Sequence, residues 1–411
     1  MQPAEIRKWR NLALLSFLIV AIIGLLMRYK IAYSFPWLSQ KFLQHGHSHF
    51  AFSAWITQNL FVFQCAILNR STNKYSDSSR RRSLLLLLHI ILSAGILISF
   101  LWSGYSTNSI ILSSLVLALQ IIIISDIWKL HQKYPNNGSP WFKASAIFFG
   151  LSTLGTASLS WMMANHQFNL NVYLSSLYWY LHFQYNGWFL FALMGTLAIK
   201  FPQHNLRIPF LLLSASCIPA FGLSILWMPM HIVLFSVIAI CAFMQSLGWL
   251  LFIKTILPAI RKSKNNVLGK WILGISLTAF SAKFILQLIS VHPEISHLAF
   301  GFRPVVIAYL HLVLLMGVST LLLYFMTEFG WLHSKGRIIL AGVVLLILIN
   351  QILLGIQAIG SFMQLALPNL QALLVWVAAM LVGALTYLLK INYAYFPQDE
   401  NVNEAHDCNH K

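Results

Sequence analysis

Tyr178-Trp179-Tyr180-Leu181-His182-Phe183-Gln184-Tyr185-Asn186-Gly187-Trp188 decides how this chain reads, because it sets an imidazole deep inside an apolar run. The run covers about 26 residues, Tyr173 to Ala198, long enough to cross a ~30 Å hydrocarbon core as a helix. His182 lies roughly 13 Å along that helix at 1.5 Å per residue. Tyr178, His182 and Tyr185 share a face at i, i+4 and i+7, with Asn186 at its border. A single histidine in a membrane helix can simply bond a neighbouring helix. Its meaning depends on whether other histidines lie at the same depth.

Composition says what kind of chain surrounds it. Of 411 residues, 58% are apolar and only 9% charged, where a soluble protein of this size would be near 25% charged. The chain therefore reads as an all-α polytopic membrane protein. The formal charge of +18 is dispersed through short connections, which suits contact with anionic lipid and not a nucleic-acid interface. Four cysteines show no disulfide spacing and no Cys-x-x-Cys-His haem attachment. The first apolar run, behind Arg7, Lys8 and Arg10, lacks a small-residue cleavage site and reads as a retained first helix.

Twelve transmembrane helices are expected, at 11–28, 46–68, 83–103, 107–128, 143–165, 173–198, 207–226, 229–253, 268–290, 303–327, 336–360 and 369–391. Isoleucine- and valine-rich runs within them would suggest strands in water. In lipid every backbone polar group must pair internally, which overrides that propensity. One domain, 1–397, precedes a short polar tail, 398–411, expected to be disordered. Lys and Arg cluster in the connections after spans two, four, six, eight and ten, and are absent after three, five, seven and eleven. By the positive-inside rule both termini are cytoplasmic.

With that orientation His45, His47 and His49 begin span two at the outer face, and His182 lies in the outer half of span six. His231 begins span eight, and His311 is about eight residues into span ten. Four helices thus place imidazoles in one outer slab, and histidine is a ligand for haem iron and copper. Between Ser78 and Gln398 only Asp126, Glu294 and Glu328 are acidic, all near span ends. No embedded carboxylate is present for ion-coupled transport or a di-iron site. Lys283, deep in span nine, is expected to snorkel outward, with a polar channel as the alternative. Asn350, Gln351 and Gln357 read as interhelical hydrogen bonds.

Taken together, these residues resemble the catalytic subunit of the haem-copper oxidase superfamily, and within it the nitric oxide reductase large subunit. Trp179-Tyr180-Leu181-His182 matches the start of that branch's sixth-helix motif, where Asn186-Gly187 replaces a glutamate-glycine pair. His47 is the nearest match to the low-spin haem ligand of helix two, with His49 the alternative. His231 matches one of two adjacent metal-ligand histidines; Met230 stands at the other. The tenth-helix His-x-His reads Tyr309-Leu310-His311 here.

The resemblance implies a bundle of haem-copper oxidase subunit I type in a bacterial inner membrane. It also implies a haem b held by His47 (or His49) and His311, with Arg303 either pairing with propionates or marking the membrane boundary. A second centre of non-haem iron or copper would fall at His182 and His231, with Tyr309 and Asn186 at reacting positions. Electrons would come from a quinol or a periplasmic donor, and the substrate would be a small gas such as NO or O2. The replacements at Met230, Tyr309 and Asn186 favour electron transfer over turnover. A haem-binding sensor or haem-handling protein, and a transporter without haem, are the alternatives. The His292-Pro293-Glu294/His297 loop reads as polar connection, and His406, Cys408 and His410 as metal-capable residues of the tail.

Overall fold

The computed structural model describes residues 3–72, 77–165, 168–202, 204–263, 267–292, 294–296 and 302–394. The tail, Pro293 and His297 lie outside these. Among the described residues every regular element is helical. In chain order they are α1 (Pro3–Ala32), α2 (Gln40–Phe50), a π-helical segment (Ala51–Thr57), α3 (Gln58–Thr72), α4 (Asp77–Ser103), α5 (Thr107–Lys133) and α6 (Ser139–Ala164). Then come α7 (Leu170–His182), a second π segment (Phe183–Phe189), α8 (Leu190–Lys200), α9 (Arg207–Cys217), a 3₁₀ turn (Pro219–Ile225), α10 (Ile232–Lys262) and α11 (Val267–Ile289). The chain closes with α12 (Arg303–His311), a third π segment (Leu312–Ser319), α13 (Thr320–Glu328), α14 (Gly336–Phe362) and α15 (Leu370–Ala394).

Ten of the described helices are long and apolar enough to cross a membrane. They become eleven if α9 and the following 3₁₀ turn, bent by 50°, form one span. The protein is therefore an all-helical, multi-pass membrane protein. The expected span at 173–198 is present as an unbroken helical run, Leu170 to Lys200, but falls short on apolarity because Gln184, Tyr185, Asn186 and Trp188 interrupt it.

That shortfall follows from its place in the bundle. Helices that face lipid must be apolar all round, whereas a central helix can present polar groups to its neighbours. The run from Phe183 to Ala198 is buried without interruption. Gln40–Leu68, carrying Ser53, Thr57, Gln58, Asn59 and Gln64, has 94% of its apolar window buried, against 28% in Ser139–Ala164, Gly336–Phe362 and Leu370–Ala394. The Gln58 amide finds partners on an adjacent span: it donates to the Leu86 carbonyl at 3.1 Å and lies 2.6 Å from His89 Nδ1, and His89 Nε2 is in turn 3.0 Å from Gln120.

The bundle is closed by α1 packing along α15. Arg10, fully buried, fastens this seam: Nη1 donates to the Trp331 carbonyl at 3.2 Å, Nη2 to the Asn392 carbonyl, and Nε to Asn11 at 3.0 Å. Asn392 in turn accepts from the His333 N–H at 3.0 Å. Arg10→Ala removes the guanidinium donors from two buried carbonyls, at about 1–3 kcal/mol each. The expected result is a clearly lowered melting temperature in detergent; a melt equal to wild type would show that water replaces the guanidinium without loss.

Candidate functional site

The three π segments mark one region. Each begins within two residues of an expected ligand histidine: Ala51 after His49, Phe183 after His182, and Leu312 after His311. A π turn lets one residue bulge from the α-helical ladder, and such turns concentrate at functional sites. The segments are tied to one another by indoles. Trp55 donates to Ser319 at 2.8 Å and Trp188 to Thr57 at 3.3 Å. Ser319 passes its own hydrogen to the Leu314 carbonyl five residues back, at 2.8 Å. Nothing in apolar periodicity announces these turns, so the sequence reading missed them.

His47 and His311 have matching environments. His47 Nδ1 lies 3.1 Å from the Val20 carbonyl, and His311 Nδ1 lies 2.8 Å from the Ile307 carbonyl. A carbonyl only accepts, so in each ring Nδ1 carries the proton and Nε2 keeps its lone pair. The two imidazoles are electrostatic neighbours of each other and both of Arg28. Gly24 sits against His47, where an added Cβ would come to 3.4 Å from Cε1. Both rings are partly accessible. Arg28 donates to Gln357 at 3.4 Å and Arg303 to Gln44 at 2.7 Å, so two guanidiniums meet amides and not carboxylates. Gln351 donates to the Ala308 carbonyl at 3.1 Å, holding α14 against α12.

His49 faces elsewhere. Residues i and i+2 of a helix point to nearly opposite sides, and His49 Nε2 lies 3.2 Å from the Tyr105 hydroxyl. Of the two candidates on α2, His47 is the one beside His311.

The other expected residues are dispersed. Fully buried His182 has both nitrogens engaged: Nε2 donates to the Cys217 carbonyl at 2.8 Å, and Nδ1 accepts from Asn186 at 3.0 Å. His231 is exposed and caps α10, accepting from the Val233 N–H at 3.3 Å. Tyr309 meets Tyr185 edge-on, their ring centroids 6.3 Å apart. Lys283 corrects one expectation. It does not snorkel but is fully buried, and its Nζ has no hydrogen-bond partner among the described residues. Helical phase explains this, since Gly269, Ser276, Phe280, Lys283 and Gln287 form the inward stripe of α11. Cys217 and Lys283, electrostatic neighbours of each other, were not singled out together by the sequence, because only folding brings α9 to α11.

Among the described residues no group of three or more His, Cys, Asp or Glu side chains is placed to hold a metal ion. A haem with two axial imidazoles needs only two such residues. No protein-family model and no curated protein matches this chain.

Proposed function

We propose that this chain is a haem b-binding electron-transfer protein of the bacterial inner membrane, with His47 and His311 as the axial pair. The observation that carries this reading is their shared tautomer: each ring is oriented by a backbone carbonyl at Nδ1 and offers Nε2. That is the arrangement by which proteins fix a metal-ligating imidazole. Gly24 leaves the edge of His47 uncrowded. Arg28 and Arg303, partnered among the described residues by neutral amides, suit the carboxylates of a porphyrin. Held by His47 and His311, a haem would supply a one-electron redox centre suited to electron transfer.

In this reading the fold is a twelve-helix bundle of haem-copper oxidase subunit I type. Leu170–Lys200 serves as the sixth span and the bent Arg207–Ile225 pair as the seventh. The basic connections face the cytoplasm, and a quinol or a periplasmic carrier delivers electrons to the outer half of the bundle.

Reduction of NO or O2 is the second reading, favoured by the Tyr185–Tyr309 pair two residues from His311 and by the π segment after His182. Non-haem iron or copper at His182 and His231 would need His182 to give up its bond to Cys217 or Asn186 and to meet His231, which here is exposed and caps α10. Pyridine-haemochrome analysis with metal quantification tests the proposal. One haem b per chain with a low-spin spectrum is expected; protein purified from haem-sufficient cells with no Soret band overturns it.

A further inference from the structure

The face of α2 that turns away from His47 carries a second constellation. Phe42, His45 and His49 lie at i, i+3 and i+7 and meet the turn joining α4 to α5. Gly104 in that turn has φ +60°, and a Cβ there would lie 2.3 Å from the Phe42 ring, so only glycine permits the approach. Ser103 donates to Ser106 at 2.8 Å, and Ser106 and Ser109 form a reciprocal capping box at the start of α5. Tyr105 is thus held on both sides against α2. Its ring meets His45 edge-on at 4.6 Å, and its hydroxyl is 3.2 Å from His49 Nε2. Phe100 stacks on His49 at 4.5 Å and closes the back of the cluster. His45 Nε2 is buried with no hydrogen-bond partner among the described residues.

We propose that His45, His49 and Tyr105 form an outer-face binding site for a borderline divalent transition-metal ion, with Cu²⁺ as the tightest binder. Two histidines at i and i+4 on one helix are spaced to share one ion, and imidazole suits copper, zinc and nickel, with copper(II) favoured by intrinsic affinity. Two ligands each about 2.0–2.1 Å from one ion lie roughly 2.9 Å apart at the right angle copper(II) prefers and roughly 3.3 Å apart across a tetrahedral angle. The His49–Tyr105 separation of 3.2 Å falls between these values. The unpartnered His45 nitrogen supplies the remaining lone pair. The Tyr105 phenol, protonated at neutral pH when free, would serve as a weak oxygen ligand, with water completing the shell. Lys41, one turn before His45, repels a cation and limits the affinity. The site is independent of the haem proposal, because His47 points to the opposite side of α2.

The test is Cu²⁺ titration of the full chain in detergent, read by equilibrium dialysis and by nitrogen hyperfine structure in electron paramagnetic resonance. Wild type is expected to show two imidazole nitrogens on one copper beyond whatever the H45N/H49A double variant binds. His45→Asn and His49→Ala should each leave one nitrogen and weaken binding by about tenfold or more, while Tyr105→Phe keeps both nitrogens with a few-fold loss. A spectrum and stoichiometry identical in wild type and the double variant overturn the proposal and leave an aromatic packing cluster only. If His49→Ala fails to fold, His45→Asn alone decides, since His45 Nε2 has no bond to lose.

Discussion

His311→Ala is expected to abolish haem retention, with the Soret band lost from the purified protein and haem-to-protein ratio falling to background. His47→Ala should do the same, and His49→Ala should leave the haem in place. The contrast rests on direction as much as identity. His47 and His311 are mutual neighbours with Nδ1 tied to the Val20 and Ile307 carbonyls, whereas His49 is committed to Tyr105 and Phe100. A haem held by one imidazole would become five-coordinate and high-spin before leaving, so a spectral change accompanies the loss. His182→Ala serves as the internal comparison. Both its nitrogens bond protein groups, so that variant should lose stability but keep the haem. Equal haem content in wild type and His311→Ala would dismiss the axial assignment.

Lys283→Met is expected to stabilise the bundle. The amine lies fully buried, 3.7 Å from the Phe284 ring centroid, with no hydrogen-bond partner among the described residues. An amine removed from water without compensation costs several kcal/mol, and replacing buried charged groups by apolar ones of similar volume is often neutral or stabilising by about 1–4 kcal/mol. Thermal unfolding in detergent should therefore shift upward or stay level. A marked fall would mean that Lys283 has a polar companion, such as water, bridging it to the Gln287 or Asn186 side chains, whose oxygens are likewise buried and without a hydrogen-bond partner among the described residues.

Much of the architecture was legible because the bilayer imposes a simple length rule on apolar runs. Of the expected spans, that of His182 defied the rule for a physical reason: its polar residues are tolerated only because it lies inside the bundle. The sequence also put His47 and His311 in one outer slab, but could not choose between His47 and His49. That choice depends on which neighbour each helix face meets. Lys283 was misjudged because its depth was readable while its helical phase relative to unknown neighbours was not. The π turns and the Gly104–Phe42 contact were hidden for a related reason. The first depends on local ladder geometry that no residue pattern specifies, and the second joins two segments only after they dock.

The Arg10 seam bears on the order of assembly. Its guanidinium is made with the first helix, yet its acceptors at Trp331 and Asn392 are synthesised more than 300 residues later. During translation that cation has to wait at the lipid surface or against headgroup phosphates. The bundle therefore completes its closure only when the final helix arrives, and a ribosome stalled before Asn392 would leave an open, protease-sensitive intermediate.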